Sequence, residues 1–210
     1  MSTRSRGADR AHGSRDRPAT MGAMTDDGPL QERLVDAGVA LLEQAGAGQL
    51  GLRAIAREAG VSHGAPRRWF PTHRSLLAAI AARGIADLTT RFAAHTESDP
   101  HARLLATAAD YVAFATERPE MFALMFRHDL LEGSGRNLRE NARPLYRTWA
   151  ALVAACVPDP TGSRAVGLWA NLHGIATLVA NRTFEPIVPE TDTETLVAAA
   201  VSRYLSETTA

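Results

Sequence analysis

Between Arg53 and Arg74 the chain sets five arginines, Arg53, Arg57, Arg67, Arg68 and Arg74, against a single acid, Glu58. An excess of about four positive charges over so short a stretch can displace counterions from nucleic-acid phosphates. Charged helix faces are usually only solvated, so the charge takes its meaning from what accompanies it. Ser62, His63, Gly64 and Ala65 precede the Arg67–Arg68 pair. They are the small or polar side chains that let a helix N-terminus approach base edges. Trp69 and His73 complete the group. A second concentration is apolar: Tyr111, Phe114, Met121, Phe122, Met125, Phe126, Trp149 and Trp169, with His173 one helical turn after Trp169. Such groups fill a core by default. With interleaved alanines they also suit a cavity for an apolar or aromatic ligand, where His173 is either a satisfied core histidine or a polar anchor.

Catalytic and metal chemistry find no matching pattern. The histidines, at 12, 63, 73, 95, 101, 128 and 173, include no His-x-x-x-His pair, the spacing that stacks two ligands on adjacent helical turns. Glycine-rich phosphate loops and nucleophile elbows are missing too. Asp110, Glu117 and Glu120 read as solvated helical carboxylates. A lone Cys156 excludes an intramolecular disulfide or a thiolate zinc cluster and suits a reducing cytoplasm. The expectation is a binding protein without metal or cofactor, not an enzyme.

Helices must position these groups. Leu52, Ile55, Ala56 and Ala59 recur at helical spacing, Gly60 stops that helix, Val61 packs under the turn, and Ser62 offers a hydroxyl to cap the next. Pro66 fits a first helical turn. A stripe of Leu30, Leu34, Ala37, Leu41 and Ala45 closes a three-helix head with Ile55, Ala59, Phe70 and Leu77. Thr72 caps a long helix running to about His95. Further helices span roughly 100–117, 119–127, 137–157, 161–184 and 192–206, separated by Asp-Pro, Arg-Pro, Gly-Ser-Gly and Pro-Asp-Pro breakers. The fold class is all-α, about nine helices, without alternating strands or an internal repeat.

The segment IAREAGVSHGAPRRWFPTHRSLLAAI resembles the DNA-binding region of TetR-family transcriptional regulators. The likeness covers about fifty residues from Leu30 to Ile80 and lies in the order of an Ile-Ala pair, Ala-Gly-Val-Ser, an aromatic-rich recognition helix and a Leu-Leu pair. VGLWANLHGIATL resembles the Trp-His-Gly segment of a subgroup. The resemblance implies a helix-turn-helix whose second helix enters the major groove of a double-stranded operator through Arg53, Ser62, His63, Gly64, Ala65, Arg67, Arg68, Trp69, His73 and Arg74. Where most members have tyrosine this chain has Arg67, where many have histidine it has Trp69, and His73 stands for a phosphate-contacting lysine. Gly51 replaces a capping Ser or Thr.

The same likeness implies a ligand-sensing, dimerising body. A stripe of Gly167, Ala170, Gly174 and Leu178, beside Leu196, Ala200 and Tyr204 of the last helix, can build a four-helix interface between two copies, although packing within one chain gives the same pattern. Three regions follow: a disordered basic leader at 1–28, a DNA-binding domain at 29–78 and a ligand-binding and dimerisation domain at 79–210. The leader's Arg4, Arg6, Arg10, Arg15 and Arg17 could follow a minor groove, but an untranslated or solubilising segment is the stronger reading, with Met21 and Met24 as alternative starts. Net charge is zero, all basic residues are arginine, and residues 184–210 form an acidic end. No apolar run reaches membrane-spanning length. The expected protein is a cytoplasmic homodimeric repressor released by a small apolar ligand. The alternative is a helical protein- or ligand-binding module with a degenerate head.

Overall fold

The computed structural model describes residues 27–135 and 137–206, so the leader lies almost wholly outside the described residues. Among the described residues there are eleven α-helices and no strand. The head contains α1 (Asp27–Ala45), α2 (Leu52–Glu58) and α3 (Ala65–Trp69), and α4 (His73–Ala94) begins in the head and continues into the body. The body adds α5 (Pro100–Glu117), α6 (Pro119–Met125), α7 (His128–Leu131), α8 (Leu138–Cys156), α9 (Ser163–Ala180), α10 (Phe184–Ile187) and α11 (Thr193–Ser206). The single-turn α7 and α10 are the two helices that periodicity cannot register, because one turn carries no period.

Two local devices set the head. After α2, Gly60 takes φ +66°, its N–H bonds the Arg57 carbonyl, and the Val61 N–H reaches back to Ala56 at 2.9 Å. This is a Schellman stop, with glycine where the backbone turns left-handed. Thr72 caps α4: its hydroxyl accepts from the Ser75 N–H at 3.0 Å, and the Ser75 hydroxyl accepts from the Thr72 N–H at 3.2 Å. The expected Ser62 cap is not made. Gly64 is the N-cap residue of α3 and Pro66 sits in its first turn, where a missing N–H removes no helical bond. The head core is Leu34, Leu42, Ile55, Phe70 and Leu77, all at most 2 % exposed. Ala45 of the expected stripe is exposed and Leu42 takes its place, because the buried row of α1 follows i+4 spacing through Leu34, Gly38 and Leu42.

Helix α4 packs on α1 in the head and on α5, α6, α7 and α8 in the body. Gly84 permits a close approach of α6: a Cβ there would lie 2.6 Å from Met121 Sδ. Arg118, between α5 and α6, donates to Glu43 of α1 at 2.8 Å and Asp87 of α4 at 2.7 Å, so one guanidinium holds head, rod and body together. No helix among the described residues is long and apolar enough to cross a membrane.

Candidate functional site

The α2–α3 unit offers its polar side outward. Arg53, Ser62, His63, Gly64, Arg67 and Arg68 are all exposed and Ala65 is half-buried. Arg53 and Arg67 pair with no carboxylate among the described residues, leaving both guanidinium groups available to phosphate. Arg68 lies over the Trp69 ring, 5.6 Å from its centroid. Trp69 itself faces inward, with Nε1 buried and without an acceptor among the described residues. It supports α3 from beneath, beside the buried Pro66, and does not present its N–H to a phosphate. His73 Nε2 donates to the Leu50 carbonyl, tying α4 to the loop before α2. Arg74 reaches the Glu132 carbonyl after α7 at 3.1 Å, so its guanidinium bridges head and body. Arg33, which carries no motif signal, fastens α1 to the end of α2 by donating to the Ala59 carbonyl at 2.8 Å.

The body contains a cavity of about 550 Å³. Of the residues expected there, Tyr111, Met125, Phe126, Trp149 and Trp169 line it. Phe114, Met121, Phe122 and His173 do not. Phe114 is fully buried between the guanidinium groups of Arg91 and Arg118, at 5.2 and 5.5 Å from its ring centroid. Met121 fills the space over Gly84, and Phe122 lies between Tyr111 and Phe126. Met121 and Phe122 are core because α6 packs on α4 and α5, and only its end reaches the cavity.

His173 stands behind the wall. The Tyr111 hydroxyl donates to His173 Nδ1 at 2.9 Å and accepts from Trp169 Nε1 at 3.3 Å. Burial pushes the Tyr111 phenol well above the usual tyrosine range and holds His173 below the usual histidine value, so both are neutral near pH 7. On this side of the wall the polar group is therefore Tyr111, with His173 holding its hydroxyl. Trp149 Nε1 donates to the Ala165 carbonyl at 2.9 Å, locking α8 to the start of α9.

Sequence reasoning misses the α8 side of the cavity. Arg139, Ala142, Arg143 and Tyr146 line it together with Trp149. Their i, i+3, i+4 and i+7 spacing is the available signal, masked by the two arginines that stand on that face. Ile85 and Phe92 of α4 form the opposite wall.

The small-residue stripe divides into two. A Cβ on Gly167 would lie 2.6 Å from the Tyr204 ring, and Ala200 is buried, so these residues pack α9 on α11 within one chain. Ala170, Gly174 and Leu178 are exposed, and a Cβ on Gly174 would meet nothing within 4 Å. Leu196 is half-buried at the rim.

Two family models match. Residues 34–80 match "Bacterial regulatory proteins, tetR family", and residues 104–204 match "Tetracyclin repressor-like, C-terminal domain". Among solved structures, a protein of unknown function from Rhodococcus sp. RHA1 is 31% identical, with 84% of this chain and 93% of that one covered at a TM-score of 0.72. A TetR transcriptional regulator from the same organism is 18% identical, covering 88% and 100% at 0.60. A tetR-family transcriptional regulator from Streptomyces coelicolor is 17% identical, covering 84% and 79% at 0.59. A search of the curated proteins found no match. With a helix-turn-helix head, an all-helical body and a family match over each, the chain belongs to the TetR family of transcriptional regulators.

Proposed function

We propose that the protein is a one-component, homodimeric repressor, with its DNA-binding head at 29–78 and its sensing and dimerising body at 79–210. In this reading the chain is cytoplasmic, a binding protein and not an enzyme. The observation that carries it is the pairing of an exposed basic helix-turn-helix with a cavity of about 550 Å³ in the same chain. Each head reads a half-site from the major groove, and two-fold symmetry requires a palindromic operator. The exposed faces of α9 and α11, around Ala170, Gly174 and Leu178, supply the dimer contact. A ligand in the cavity favours a state whose heads no longer match the operator spacing. The Trp-His-Gly segment around Trp169 and His173 supports placement in the subgroup that carries it, its two rings joined here through Tyr111.

Selection of bound sequences from a random duplex pool tests this directly. A palindromic consensus is expected; absence of salt-dependent duplex binding would favour a helical protein- or ligand-binding module with a degenerate head. Arg67→Ala should weaken binding to every duplex and lower the salt slope by about one for the lost phosphate contact. Substitution of His63 should instead change base preference. If both variants bind with unchanged affinity and selectivity, the recognition surface is elsewhere.

A further inference from the structure

The polar groups of the cavity are unevenly placed. At the inner end, the Tyr111 hydroxyl is committed to His173 and Trp169, and the Trp149 N–H to Ala165. No charged side chain stands there beside the Tyr146 phenol, and burying an uncompensated ion is prohibitive. At the outer end stand Arg139 and Arg143, exposed, one helical turn apart on α8 and both in the cavity wall. Many arginines of the body are neutralised: Arg83, Arg91, Arg118, Arg127 and Arg182 each donate to a carboxylate. Arg139 and Arg143 have no such partner among the described residues. Glu140, between them in sequence, accepts from Asn137 at 2.8 Å.

One face of α8 therefore grades from two unpaired guanidinium groups at the solvent end to Tyr146 and Trp149 inside. Like charges at i and i+4 destabilise a helix slightly. An anion held between them reverses that effect and matches the planar donor fork of arginine. We propose that the ligand of this cavity is an amphipathic anion, a carboxylate or phosphate head held by Arg139 and Arg143 with an apolar body lying inward against Trp149, Trp169 and Phe126. The proposal rests on the reading of the body as a ligand sensor. It revises the sequence expectation of an uncharged ligand, since the required paired charges are present on α8.

Dodecanoate, dodecyl phosphate and dodecanol, titrated into the full chain and followed by tryptophan fluorescence, test it, because Trp149 and Trp169 are in the wall. At low salt at least one anion should bind about tenfold tighter than the alcohol, and the advantage should shrink as salt rises. The tighter of the two anions identifies the head group. In an Arg139→Gln, Arg143→Gln double variant, which alters exposed side chains only, anion and alcohol should bind alike. Equal affinities in the unaltered protein, or a preference that survives the double substitution, would overturn the proposal. Absence of binding by all three probes would overturn the sensor reading with it, and operator titration would show whether the head still binds DNA.

Discussion

Tyr111 is where the body's aromatic residues meet in one hydrogen-bonded chain, and its state depends on a neighbour that never touches the cavity. For His173 Nδ1 to accept from the phenol, the imidazole must be neutral with its proton on Nε2. Burial lowers the His173 pKa from the ordinary value of 6.5, so the native state takes up this proton less readily than the unfolded chain. The stability contributed by neutral His173 is thus complete above 6.5 and is lost as pH falls through the lower native value. Melting temperature should decline as pH is taken from about 7.5 to about 5, and His173→Gln, which keeps an acceptor but does not titrate, should flatten that decline. An identical pH profile in the variant would assign the acid sensitivity to other groups. The phenol stays neutral across this window because its own pKa is raised by burial.

Among the elements, α9 carries two glycines with opposite roles. Gly167→Leu drives a side chain into Tyr204, an overpacking penalty of about 1 to 3 kcal/mol that should appear as a lower melting temperature of the protomer. Gly174→Leu meets open space and replaces a poor helix former, so the protomer should hold its stability or gain about 0.5 to 1 kcal/mol. The proposed dimer should nonetheless dissociate at higher concentration, which sedimentation velocity can follow. If Gly174→Leu leaves dimerisation unchanged, this face of α9 is not the interface.

The same helix shows why legibility differs from place to place. Gly60 announces the end of α2 because glycine is the residue a left-handed turn selects. At the end of α9 the identical pattern, with Thr183 N–H to Leu178 and Arg182 N–H to Val179 at 2.9 Å, is built on Arg182 at φ +55°. No glycine marks it, and the helix expected to run to residue 184 stops at Ala180. The basic outer surface and the aromatic inventory of the cavity are legible because each depends on residue type. The inward turn of Trp69, the placing of Phe114 between two arginines and the arginine-lined mouth depend on which neighbour occupies the far side, and that is set by tertiary packing.

At the scale of the molecule, α4 begins under the DNA-facing unit and ends in the cavity wall. His73 ties its first turn to the head, while Ile85 and Phe92 line the cavity. Ala82 lies between these two ends. Ala82→Gly lowers helix propensity by about 1 kcal/mol and should weaken the influence of ligand on operator affinity more than either binding event alone. Measuring each affinity with and without the other partner checks this; an unchanged coupling would show that the signal does not run along α4.

If the helix is stiff, it is a lever. The twelve helical steps from His73 to Ile85 make an arm of about 18 Å at 1.5 Å per residue. A tilt of about 10° around Ile85 then carries the head end roughly 3 Å. Symmetry would make the two protomers swing in opposite senses, so the gap between their recognition helices could change by about 6 Å against a groove repeat of about 34 Å. In the proposed dimer, a displacement of roughly 2 Å at Phe92 in the cavity wall would then be enough to carry two reading heads out of step with the double helix.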